Sequence, residues 1–179
     1  MEENKKIEFK EELTIEDLQK ANYYNFKRQK KYLFNQIIFI AMALLMIGMS
    51  IAQKQWIFLG VGILILIFST VLFVPLYKKL INNAVSRTFK ESLKINISFS
   101  ESGFMYTLED EDQSNYSEYT YQQVMKVYNL KDYIYVYFNT SAIAIIKKEA
   151  CNEIEELISL IEGKYKDTNK YIIDEKTSL

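Results

Sequence analysis

Two stretches without a charged residue, Tyr32 to Gln53 and Gln55 to Tyr77, constrain this chain more than anything else in it, and Lys54 is the one charge between them. A helix crosses about 30 Å of hydrocarbon with roughly 20 predominantly apolar residues, so each stretch is long enough to span a bilayer. The first, Leu33 to Ile51, is polar only at Asn35, Gln36 and Ser50. In the second, Trp56 to Tyr77, Ile, Leu, Val and Phe fill fifteen of twenty-two positions. At roughly -0.3 to -0.6 kcal/mol each when central, those fifteen favour insertion by up to about 5 to 9 kcal/mol. The expectation is an integral membrane protein with two spans, 33–51 and 56–77. A helical hairpin buried in a soluble core is the alternative, and partitioning with carbonate-washed membranes separates the two.

Only Ala52 to Gln55 joins the spans, which predicts a tight reversal and antiparallel neighbouring helices. Ala41, Ala43, Gly48, Gly60 and Gly62 are the small residues available for close approach, without a clean GxxxG spacing. Tyr32, Trp56 and Tyr77 stand where interfacial aromatics belong, and Pro75 is expected to bend the exit of the second span. Lys27, Arg28, Lys30 and Lys31 precede the first span and Lys78, Lys79, Arg87 and Lys90 follow the second, against Lys54 alone in the reversal. Basic residues mark the cytoplasmic side. The expected location is therefore a cell membrane, with both termini cytoplasmic. The first span begins too far in, and is too long, for a cleavable signal peptide.

The flanks read as soluble structure. Ile7 and Phe9 alternate with charged neighbours as in a short strand, and Thr14 with Asp17 forms a capping-box-like start to a helix from Ile15 through Tyr23, Tyr24 and Phe26 directly into the membrane. Leu80, Ile81, Ala84, Val85, Thr88 and Phe89 recur at helical spacing, predicting an amphipathic juxtamembrane helix over 78–94. From Ile95 the apolar period becomes two: a hairpin of 95–99 and 104–108 turning at Ser102-Gly103, a strand over 116–121, another edge over 122–128, then 133–138 and 142–146. Ile154, Leu157, Ile158, Ile161 and Tyr165 make one apolar helix stripe opposed by Glu153, Glu155, Glu156 and Glu162. The expected fold class is α+β: a transmembrane hairpin plus a small antiparallel sheet domain closed by a C-terminal amphipathic helix. Five segments follow, namely 1–32, 33–77, 78–94, 95–166 and a polar, frayed tail at 167–179.

The chemistry available to this chain is limited. It has no histidine, which removes the usual general base and the commonest metal ligand. Its single cysteine, Cys151, excludes an intramolecular disulfide and reads as a small apolar filler. The run Glu109-Asp110-Glu111-Asp112 lacks the ligand spacing and glycine of a calcium loop and reads as a solvated connection. The five glycines form no phosphate loop, and a formal net charge of -1 gives no basic field for nucleic acid. Of the fourteen tyrosines about half lie between Tyr106 and Tyr137, where they read first as sheet packing and second as a recognition face. No catalytic, cofactor-binding or metal-binding residue is assigned, no cofactor is expected, and a binding face is left open.

The order of "FKEELTIEDLQKANYYNFKR", a two-span hairpin, "ISFSESGFMYTL" and "YTYQQVMKVYNLKDYIYVYFNTSAIAIIKKEACNEIEELISLI" resembles the YcxB-like bacterial membrane proteins, from about Phe9 to Tyr165. The resemblance implies a C-terminal domain similar to pleckstrin-homology-type modules. Tyr121 stands where such domains often place Trp, and Ile145-Ile146-Lys147 where they often read IPK.

The expected role is a membrane-anchored, non-catalytic interaction module that presents its sheet domain at the inner membrane surface to a protein or peptide, with the lipid bilayer as its other partner. Toxin immunity, a self-protection role known among small membrane proteins with pleckstrin-homology-like domains, is the alternative. An enzyme acting on lipid is disfavoured by the missing histidine.

Overall fold

In the computed structural model of the chain, residues 6–28, 31–109, 114–139, 142–165 and 168–174 are described. They divide into two compact units, residues 1–17 with 91–179, and residues 18–90.

The second unit is the helical hairpin. Helix α2 spans Lys31–Gln53. Helix α3, Trp56–Ile67, passes through a π-helical turn, Phe68–Leu72, into α4, Phe73–Thr88. The second span and the expected juxtamembrane helix are thus one continuous helical stretch, Trp56–Thr88. It ends earlier than expected, because Phe89 turns extended and Leu93 already opens a strand. Leu33–Gln53 and Trp56–Thr88 are both long and apolar enough to cross a membrane, and only 11% of each apolar window is buried. Leu45, Ile51, Ile57 and Leu64 are among the many large apolar side chains left more than half exposed. A helix at the centre of a soluble core would bury such side chains.

The reversal is tighter than the four residues expected. Lys54 sits at φ 57°, its N–H donates to the Ile51 carbonyl and the Gln55 N–H to that of Ser50, which together make a Schellman close to α2. Of the small residues, Gly62 and Ala43 form the closest approach. A Cβ at Gly62 would lie 2.8 Å from Ile47 Cγ1 and 3.1 Å from the Ala43 carbonyl oxygen, and Ala43 is fully buried. Gly48 and Gly60 face open space.

Pro75 leaves its mark inside the helix instead of at its exit. It is the third residue of α4, and a proline there lacks the N–H that residue 71 would accept and crowds that carbonyl. The π turn immediately upstream widens the helix to accommodate it. Gln36 on α2 donates to the Ser69 carbonyl across the hairpin at 2.8 Å. The side-chain amide of Gln36 is thereby satisfied within the hairpin.

The first unit carries two four-stranded sheets. One has the order β1 (Ile7–Leu13), β2 (Leu93–Phe99), β3 (Gly103–Glu109), β4 (Ser114–Thr120). It is antiparallel throughout, with Phe9 opposite Ile97 and Ile97 opposite Tyr106. The other has the order β7 (Ile143–Lys147), β6 (Tyr133–Tyr137), β5 (Lys126–Asn129), β8 (Tyr171–Ile173). Strand β1 comes from the N-terminal flank, and its inner face lays Ile7, Phe9 and Leu13 into the core beside Ile95, Ile97 and Phe99. All five residues of β6 are buried, which is why that run shows no alternation.

Helix α1, Ile15–Arg28, begins at the expected Thr14 start. Whether it continues into α2 falls on residues 29 and 30, outside the described residues. Helix α5, Ile154–Tyr165, buries Leu157, Ile161 and Tyr165 as its stripe predicts, at roughly 2 kcal/mol for each fully buried side chain.

Three further expectations give way. Tyr121 does not share a strand with Tyr119, because the chain turns into a 3-10 segment, Tyr121–Gln123, closed by a Thr120/Gln123 capping box. The hairpin turn lies at 100–102, and Gly103 already belongs to β3, where a Cβ would meet the Tyr119 carbonyl oxygen at 2.2 Å. The tail is not simply frayed: Tyr171–Ile173 pairs in parallel with β5 as β8, since three consecutive β-forming side chains find an open sheet edge.

Candidate functional site

The period of β1 creates the site. Alternation that buries Ile7, Phe9 and Leu13 also turns Glu11 inward, leaving it 6% exposed in an otherwise apolar layer. One carboxylate oxygen of Glu11, Oε2, accepts the Lys147 backbone N–H at 2.8 Å. The other, Oε1, is buried and makes no hydrogen bond among the described residues. Glu11 thus joins β1 in the first sheet to β7 in the second.

Six residues on, the first turn of α1 supplies another buried acid, Asp17. Asp17 reaches back to the N-terminus of α1, accepting from the Thr14 N–H at 2.8 Å and the Thr14 hydroxyl at 2.7 Å. Its other oxygen accepts the Tyr133 hydroxyl at 2.6 Å, and Lys147 Nζ lies 2.6 Å from Oδ2. The ammonium also donates to the Glu12 carbonyl at 2.8 Å. Lys147 and Asp17 side chains are 14% and 7% exposed, so the pair is largely withdrawn from water.

The two acids respond oppositely to burial. For Asp17 desolvation opposes ionisation, but the hydrogen bonds from Lys147, Tyr133 and Thr14 outweigh it and hold the carboxyl at about 2. For Glu11 desolvation dominates, the Lys147 N–H and ammonium offset only part of it, and the Asp17 charge adds to it, so the carboxyl rises to about 7. Burial and the Asp17 hydrogen bond push the Tyr133 hydroxyl far above its usual value. One ammonium serves two carboxyls, and Asp17 holds it.

The residues singled out from sequence mostly lie elsewhere. Cys151 is buried, and desolvation raises its thiol, which makes it an inert filler. Glu109 ends β3, and Asp110, Glu111 and Asp112 lie outside the described residues. Among the described residues, no group of three or more acids and cysteines is placed to hold a metal. Tyr119 stacks on Phe138 at 3.8 Å between ring centroids, with Phe104 alongside. Tyr165 donates to the Tyr121 carbonyl and Tyr121 to that of Ser100. Tyr128, Tyr133, Tyr135 and Tyr137 are buried, and Tyr116 is 70% exposed. Tyr116 apart, these tyrosines are taken up in packing.

Sequence reasoning missed Glu11, Tyr133 and Lys147. The alternation from Ile7 to Leu13 does contain the signal for Glu11, since the parity that buries Phe9 buries position 11 as well. No local signal marks Tyr133 or Lys147, which come from strands more than 110 residues later.

Residues 99–161 match the family model described as YcxB-like protein. The match runs from the last residue of β2 into α5, taking in Tyr133 and Lys147 but neither Glu11 nor Asp17. None of the curated proteins and none of the solved structures matches the chain.

Proposed function

We propose that this chain, with its YcxB-like segment, is a membrane-anchored interaction module of the bacterial cell membrane. In this reading the α2 and α3–α4 helices cross the bilayer as a hairpin, and both termini and the two-sheet unit are cytoplasmic. The observation that carries it is the exposure of large apolar side chains along two helices of spanning length, a surface that costs free energy in water and gains it in lipid. Basic residues at both cytoplasmic flanks support the orientation. The absence of a charged residue within either span supports an anchor over an ion or proton path.

The sheet unit is the part that meets a partner. Two four-stranded sheets, with α5 inserted before the last short strand β8, are compatible with a pleckstrin-homology-like arrangement, and a protein or peptide at the membrane face is the partner class proposed. No residue is assigned a catalytic role.

Fractionation and labelling test the anchor together. The chain should remain with carbonate-washed membranes, and a Lys54→Cys variant should react with a membrane-impermeant maleimide in intact cells while a cysteine added after Leu179 should not. Release by carbonate, or the opposite labelling, overturns the topology. In-cell crosslinking with mass spectrometry tests the partner: reproducible crosslinks from residues of the sheet unit to one protein support the reading, and crosslinks to lipid-embedded neighbours of the spans alone refute it.

A further inference from the structure

The buried Glu11, Asp17 and Lys147 do not balance as three ionised groups. They carry two potential negative charges and one positive charge, in a layer where an uncompensated charge costs several kcal/mol. The hydrogen bonds decide which acid is satisfied as an anion. Asp17 receives four, from Lys147 Nζ, the Tyr133 hydroxyl, and the N–H and hydroxyl of Thr14. Glu11 receives one, from the Lys147 N–H, and its Oε1 has none among the described residues.

We infer that Glu11 is a proton-binding site: the folded unit takes up one proton on this side chain, and that proton locks the N-terminal strand β1 to strand β7. With the proton on Oε1, Oε2 still accepts from Lys147 and the cluster is neutral, one ammonium against one carboxylate. Without it, a second negative charge is buried beside Asp17. Among the described residues, the charged and titratable groups that bear on Glu11 are Lys147 from β7, Asp17 from the start of α1, Tyr106 from β3 and Cys151 from the segment after β7. Lys147 is the only cation among these four, and Asp17 engages it directly.

The sign follows from linkage. A carboxyl that is ordinarily at 4.5 and stands near 7 when folded binds its proton more tightly in the closed state. The stabilisation is fully present below about pH 4.5 and is lost as pH rises to about 7. Strand β1 runs directly into the start of α1 at Ile15, so the proton acts on the N-terminal segment of the sheet unit.

The test uses the full chain in detergent micelles. With the glutamates labelled by carbon-13 at the side-chain carboxyl, one resonance should titrate near neutral pH, and it should vanish in Glu11→Gln, which keeps the acceptor for Lys147 but binds no proton. In the unsubstituted chain, protection of the β1 amides against hydrogen exchange, corrected for intrinsic rates, should fall about tenfold per pH unit from about pH 5 to 7 and then level off. That second measurement needs no variant to fold. All glutamates titrating below pH 5.5, or β1 protection that is flat across this range, would overturn the inference.

Discussion

Replacing Lys147 with Met removes one ammonium and nearly nothing else, because the aliphatic stem is kept. Asp17 then loses the partner at 2.6 Å, the Glu12 carbonyl loses its donor, and Glu11 loses the cation that partly offsets its burial. Stripping one member from a buried ion pair costs about 3 to 5 kcal/mol, mostly through the charge left behind. The wild-type contribution of Asp17 falls somewhat below that range, which points to the lower end for the loss. Its carboxyl falls from 3.8 to about 2, and (3.8 − 2) × 1.36 is about 2 kcal/mol. That contribution is present above the ordinary carboxyl range and is lost as pH falls through about 2. Lys147→Met should therefore destabilise the sheet unit by about 3 kcal/mol at pH 7. The deficit should shrink toward pH 3, because protonating Asp17 relieves the orphaned charge. Guanidinium unfolding of the full chain in micelles, followed by tyrosine near-UV circular dichroism, measures the loss. An Asp17→Asn cycle measures the coupling, expected to be about 2 kcal/mol or more. A coupling near zero, or a deficit unchanged between pH 3 and 7, would refute the electrostatic account.

Other substitutions probe the backbone and the hairpin. Gly62→Ala should weaken the packing of α2 on α3 by about 1 to 3 kcal/mol, because its Cβ meets Ile47 and the Ala43 carbonyl. Gly60→Ala, which meets nothing within 4 Å, is the matched control, and resistance of the helical signal to sodium dodecyl sulfate reads both. Lys54→Gly should stabilise the reversal by about 1 kcal/mol, since a left-handed backbone costs a side-chain-bearing residue that much, whereas Lys54→Ala should gain nothing in the same titration. Gly103→Ala should cost about 3 kcal/mol or more, because a Cβ 2.2 Å from the Tyr119 carbonyl forces β3 and β4 apart. Amide exchange in β4 should rise with it.

The elements themselves were legible where a local period carries them. Both apolar runs, the alternation of β2 and β3, and the stripe of α5 each require only neighbouring residues and the geometry of a helix or strand. The Thr14/Asp17 start was legible for the same reason, since capping is a contact three residues long. What stayed hidden needed a partner remote in sequence. Tyr171 to Ile173 become a strand only because β5 offers an open edge, and β1 joins a sheet whose other strands begin at residue 93. The π turn was half legible: Pro75 announces a disturbed helix, but its form, and the recruitment of Gln36 to the Ser69 carbonyl, depend on the neighbouring helix.

The candidate site divides along the same line. Sequence alone determined that Thr14 and Asp17 start a helix and that the chain has no histidine, and it held, overlooked, the parity that turns Glu11 inward with Phe9 and Leu13. Tertiary structure decided that Lys147 and Tyr133 arrive from strands more than 110 residues away, so that two acids compete for one cation. Whether a buried carboxyl carries a charge depends on the donors facing it, and those donors are set by how two sheets meet, which no stretch of sequence around Glu11 contains.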